Sequence, residues 1–176
     1  WLDDRPIAVQ PKAGSYANEW LHVHSDHLGT PRAITRPSQA NATIWRWSLT
    51  QTAFGEHAPE QDPDGDGNPF AFNLRYPGQY FDAESGLHYN YFRDYESNTG
   101  RYAQPDPSGL SDGPSIYAYA GSSPLKFTDP TGLFKFGPSC NEQQRAMISK
   151  AMVDVMVELT MKCASSSSGG GSGCQE

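Results

Sequence analysis

The sequence predicts a mainly β protein of short strands joined by many turns, followed by one helix and a flexible tail. Three observations lead there. Glycine, proline and tyrosine number 17, 14 and 9 of the 176 residues, a mix that suits turns and half-buried strands better than a helical bundle. Short stretches of aromatic and β-branched residues alternate with clusters of Pro, Gly, Asn and Ser up to about residue 129. One aromatic pattern then repeats within residues 80–102.

Taken in order, Ile7 to Val9, Trp20 to His24 and Ile44 to Leu49 read as strands, because they are short stretches rich in aromatic and β-branched residues between turn formers. From Tyr76 the aromatic density climbs through Tyr80, Phe81, Tyr89, Tyr91, Phe92, Tyr95, Tyr102, Tyr117 and Tyr119. Tyr80-Phe81-Asp82 followed by Gly86-Leu87-His88-Tyr89 is echoed by Phe92-Arg93-Asp94 followed by Gly100-Arg101-Tyr102. Each copy has a strand ending in Asp, a polar turn, a glycine and a second aromatic strand, as a β-hairpin does. Stacked hairpins are expected, since one unit cannot bury its own face. After Leu133 the character changes. Residues 134–140 read as a loop, and Asn141 with Gln144 resembles a capping box. Ile148, Met152, Val155 and Leu159 then share one helical face beside Ala151, predicting a helix over about 141–163. Residues 165–173 are a low-complexity Ser/Gly tail.

The net charge of −7 and the lack of a clustered Lys/Arg surface argue against a nucleic-acid partner. No apolar run approaches the roughly 18–20 residues that cross a bilayer, so no transmembrane span is expected. The chain opens without a charged segment leading into an apolar core, so no signal peptide is expected. Residues 1–6 read as the middle of a pattern, which suggests a piece of something longer. Cys140, Cys163 and Cys174 all follow Leu133, so the rest of the chain carries no redox information; one disulfide with a free thiol, or three free thiols, are both open.

The run from Arg75 to Tyr91, continuing through Arg93-Asp94-Tyr95, Gly100-Arg101-Tyr102, Pro105 to Leu110, Tyr117-Ala118-Tyr119 and Asp129-Pro130-Thr131-Gly132-Leu133, resembles the Rhs repeat-associated core. Upstream, His24 to Arg32 is similar to the family's Asp-His-Leu-Gly-Thr-Pro motif. The resemblance implies an Rhs/YD-repeat β-hairpin shell segment over 1–75, a plug-like core over 76–133, and the start of a variable toxin region over 134–176. It further implies a cocoon that encloses a C-terminal toxin, as in type VI secretion effectors, insecticidal toxin-complex C subunits, wall-associated toxins and, more distantly, teneurins. Such a chain would be made in the cytoplasm and secreted or delivered to a target cell. Its partners would be the rest of the shell and the enclosed toxin, with secretion machinery, a chaperone or an immunity protein as further possibilities.

The resemblance also implies self-cleavage between Leu133 and Phe134. Hydrolysis by carboxylates needs one ionised group to activate water and one protonated group to donate, and two carboxylates held close divide those roles because both ionise only at a cost. The family's proteolytic aspartates match Asp94 and Asp106, with Arg93 controlling charge; Asp129 is the weaker candidate for the pair and, with Pro130 and Gly132, would shape the substrate turn. On spacing alone, Asp-Pro-x-Gly is a type I turn, and Arg93-Asp94 a local ion pair. The competing classes are an inert structural or adhesive β-repeat and a toxin enzyme whose active site lies beyond Glu176. No cofactor is expected. His22, His24 and His27 with Asp26 are read as strand and turn residues, not as a metal cluster. Residues 62–68 mimic the start of a calcium loop, but the twelfth position falls on Asn73 and Pro63 stiffens the start, so a polar connection is expected. The aromatic stripe is expected to pack inside a shell instead of stacking bases. Neither a zinc-protease motif nor a phosphate loop follows Leu133, and the toxin's activity is not readable.

Overall fold

Eight short strands form two sequential antiparallel meanders in a computed structural model that describes residues 5–49, 52–140, 143–148, 150–151 and 153–154. The first sheet runs β1 (Ala8–Val9), β2 (Leu21–Ser25), β3 (Pro31–Arg36) and β4 (Ala42–Arg46). The second runs β5 (Tyr80–Phe81), β6 (His88–Asn90), β7 (Arg93–Glu96) and β8 (Arg101–Tyr102). One compact unit covers Trp1–Ser139 and a second begins at Cys140.

The aromatic echo corresponds to two hairpins. Tyr80 pairs with Tyr89 and Phe81 with His88 in one; Tyr95 pairs with Tyr102 and Glu96 with Arg101 in the other. They join through the two-residue turn Tyr91-Phe92, closed by the Asn90 and Arg93 pair, with Tyr91 at φ 54°. In the first sheet, β2 buries Leu21 and Val23 and exposes His22 and His24, the period-two alternation read from its sequence. Two differences stand out. β3 was hidden inside the Asp-His-Leu-Gly-Thr-Pro motif, where Pro31 occupies a first strand position that needs no N–H. β4 starts at Ala42 and ends at Arg46, because the partner of β3 is fixed by the tight left-handed turn at Ala40 and Asn41.

The core is shared by both sheets. Leu21, Ile34, Ile44, Trp45 and Trp47 pack in one cluster with Tyr76, Tyr95, Tyr102 and Tyr119. Some buried phenols and indoles keep a polar partner: Tyr95 Oη donates to Phe54 O at 2.7 Å, and Trp47 Nε1 donates to His57 O at 2.9 Å. Trp45 Nε1 and Tyr119 Oη are buried without one among the described residues. The expectation of an interior stripe holds for half of it. Tyr80, Tyr89, Tyr91, Phe92 and Tyr117 are exposed; Tyr89, for one, lies between buried His88 and Asn90 and so faces the other side of the sheet.

Residues 143–148, 150–151 and 153–154 are helical, with Met147 and Ile148 exposed. Met152, Val155 and Leu159, and the tail, lie outside the described residues. Among the described residues, no helix is long and apolar enough to cross a membrane.

Candidate active site at the junction turn

The residues flanking Leu133 are strapped to the second sheet by buried polar contacts. Gly132, at φ 75°, lies so close to Asn90 that an added Cβ would be 2.6 Å from its carbonyl oxygen. Phe92 N donates to Thr131 O at 3.2 Å. On the opposite flank of the turn, a Cβ on Gly78 would fall 1.9 Å from Pro130 O. Only glycines allow the backbone to approach this closely. Beyond the junction, Phe136 and Thr128 exchange two backbone hydrogen bonds, and Lys135 pairs with Asp112 at 3.2 Å. Leu133 and Phe136 are both buried.

Arg93 is the hub. Its side chain is 1% exposed, and one guanidinium nitrogen, Nη2, lies 2.8 Å from Asp106 Oδ2 and 3.3 Å from Asp129 Oδ2. Nε donates to Gly132 O and Nη1 to Ile116 O, while the guanidinium carbon sits 3.7 Å from the centre of the Tyr102 ring. Asp106 Oδ1 accepts from the backbone and hydroxyl of Ser108 at 2.8 and 2.6 Å. Asp129 Oδ2 accepts from Tyr102 Oη at 2.9 Å, and its Oδ1 accepts three backbone N–H groups: Gly132 at 2.8 Å, Leu133 at 3.0 Å and Phe134 at 3.1 Å. The last of these is the nitrogen of the expected scissile bond. Burial pushes Asp129 up to about 6, against the downward pull of the Tyr102 hydrogen bond and the Arg93 charge.

Of the expected catalytic residues, the fold brings Arg93 and Asp106 together, and joins them to Asp129 instead of Asp94. Asp94 follows Arg93 on β7, so its side chain points to the other face of the sheet. There it accepts from Gln104 Nε2 at 2.8 Å, while its own N–H donates to Gln104 Oε1 at 2.7 Å. Asn90 and Tyr102 were not singled out as site residues. The available signal was an asparagine at a position where strand alternation requires burial, opposite the equally buried Arg93.

The weighed-down signals fall elsewhere. His24 Nε2 contacts Thr35 Oγ1 at 2.9 Å, and Asp26 Oδ1 caps the N–H groups of Leu28 and Thr30. Asp62, Asp64 and Asp66 do bring carboxylate oxygens within 4.8 Å of one another. Asp62 already accepts from the N–H groups of Asp66 and Gly67, as a polar turn would. An open pocket of about 460 Å³ lies against Gly78, Tyr89, Tyr91, Pro130 and Thr131, on a side of the turn that none of the three aspartates Asp94, Asp106 and Asp129 lines.

No family model matches the chain. Among curated proteins it is 44% identical over 110 residues to Toxin protein Tse5 of Pseudomonas aeruginosa, covering 62% of this chain and 8% of that one. It is 39% identical over 114 residues to the Probable deoxyribonuclease RhsA of Dickeya dadantii, covering 64% of this chain and 7% of the relative. The chain carries an Rhs-associated toxin core region. This Rhs region spans less than a tenth of those relatives. Among solved structures, it is similar in fold to the TcdB2-TccC3 complex crystallised without its hypervariable C-terminal region, with a TM-score of 0.50 at 22% identity, over 66% of this chain and 5% of that one.

Proposed function

We propose that this Rhs region cuts its own chain between Leu133 and Phe134, with Asp106 and Asp129 as the carboxylate pair and Arg93 as the cation between them. The single observation that carries the reading is that Asp129 touches the Phe134 amide nitrogen with one oxygen while its other oxygen shares Arg93 Nη2 with Asp106. In the reaction, a water oxygen bonds to the Leu133 carbonyl carbon as Asp106 takes the water's proton. The carbon–nitrogen bond then breaks as Asp129 gives its proton to the Phe134 nitrogen. The products are a Leu133 carboxyl group and a free Phe134 amine. The raised Asp129 suits the donor role, and Arg93, bonded to Gly132 O, fixes the residue before the cut.

The released polypeptide would be the variable toxin, enclosed by the rest of the shell and secreted or delivered with it. The relatives named as toxins and nucleases support that setting, with the toxic activity residing beyond the junction. The expected result is that the full-length parent, purified and denatured, yields a second N-terminus beginning at Phe134. A single intact chain overturns the reading in favour of an inert shell, and a cut at another bond overturns the assignment to Leu133 and Phe134.

A further inference from the structure

Asn90 is fully buried, and its amide oxygen has no hydrogen-bond partner among the described residues. An apolar residue would avoid that cost. What the amide does provide is direction. Its Nδ2 donates to Asp129 O at 2.9 Å, and a backbone carbonyl can only accept, so the NH2 group must face this way. The same Nδ2 lies 2.7 Å from Tyr102 Oη, which therefore receives a hydrogen there and turns its own proton to Asp129 Oδ2 at 2.9 Å. Tyr102 is held in place by its ring beneath Arg93. Burial first, and then the neighbouring Asp129 charge, keep its phenol protonated far beyond the neutral range.

The groups facing Asp129 are Arg93 from β7, Tyr102 from β8, Asp106 across the shared guanidinium nitrogen, and more remotely Asp112 and Tyr119. Arg93 is divided between two carboxylates. Tyr102 donates to Asp129 alone. We infer that Tyr102, oriented by Asn90, is a positioning residue that sets the pH at which Asp129 holds the proton delivered to the Phe134 nitrogen. This rests on the self-cleavage reading above. A hydrogen bond to the ionised form favours it, so the hydroxyl keeps Asp129 from rising further and sets the alkaline limit of cutting.

The test uses the full-length parent made by cell-free translation, shifted as a pulse into a pH series, with cut and uncut chain quantified over time. Tyr102→Phe keeps the ring under Arg93 and removes the donor; its alkaline limb moves up by roughly one pH unit relative to the parent's. A difluorotyrosine at position 102, a stronger donor of nearly the same size, moves the limb down. Asn90→Ala moves it up by less than Tyr102→Phe. Limbs that coincide with the parent's in both position-102 variants overturn the inference. So does an equal loss of cutting at every pH in both, which is what a merely structural tyrosine gives. A parent that stays whole, or an Asp129→Asn chain that cuts at the parent's rate, instead brings down the self-cleavage reading, and the inference with it.

Discussion

The two sheets use the same β grammar to bury opposite chemistries. The face of β2, β3 and β4 that meets the core presents Leu21, Val23, Ile34, Ile44 and Trp45, and its polar residues point outward. The equivalent face of β6 and β7 buries His88, Asn90 and Arg93 beside Tyr95, and Asp106 and Asp129 are buried with them. Apolar burial stabilises at about 25 cal/mol per Å². Burying charges and amides costs unless every partner is supplied. The first sheet is thus a scaffold, while the second holds a set of groups whose placement makes sense through the junction they surround. A protein departs from the stable solution where function requires it.

Breaking the hub has the largest expected effect. Arg93→Met leaves Asp106 and Asp129 buried without their cation and costs about 3–5 kcal/mol in urea unfolding, with loss of the cut. Ile34→Ala in the first sheet costs about 2–5 kcal/mol through a cavity. It leaves the fraction cut unchanged whenever the chain is folded, which separates scaffold from site. Gly78→Ala, at φ 86° and facing Pro130 O, costs about 1–3 kcal/mol and slows the cut by displacing the turn. A stabilised or faster-cutting variant would show that the close approach of Pro130 has no consequence.

Acidity sharpens the contrast within the second sheet. Burial, helped by the Arg75 charge, holds His88 down at about 3, so its contribution is complete above the unfolded value near 6.5 and is lost as pH falls from there toward 3. Asp129 has the opposite sign. Raised to about 6 from 3.8, it favours the fold most at low pH, and that contribution is lost as pH rises through 6. Between 4 and 6 the two oppose each other. Relative to the parent, His88→Gln therefore gains stability as pH falls through this window and Asp129→Asn loses it, measured by urea midpoints across the series. Differences of the same sign would contradict one of the two assignments. The smallest effect is expected on the outer face of β7, where Asp94→Asn cuts at the parent's rate because that carboxylate meets only Gln104 among the contacts described for it.

Much of this was legible beforehand. The aromatic echo located both hairpins of the second sheet, and the alternation of Leu21 to His24 located β2. Arg93, Asp106 and the turn from Asp129 to Leu133 were all singled out. β3 was missed because its turn motif drew attention from the alternating residues that follow it. Exchanging Asp129 for Asp94 has a similar origin. The family's proteolytic aspartates were matched to Asp94 and Asp106, yet neighbours on a strand face opposite sides, and Arg93 instead reaches a residue 36 positions away. Asn90 gave one local signal, an amide at a position that strand alternation buries, and Tyr102 gave none, since their role depends on β6 and β8 both flanking β7 and on the returning turn.

The most direct measurement is the intact mass of the full-length parent beside its Asp106→Asn, Asp129→Asn and Asp94→Asn variants, denatured before injection. The expected result is two masses divided between Leu133 and Phe134 for the parent and for Asp94→Asn, and one undivided mass for the other two. A divided Asp129→Asn chain, or an undivided Asp94→Asn chain, would contradict the assignment of the cut to Asp106 and Asp129.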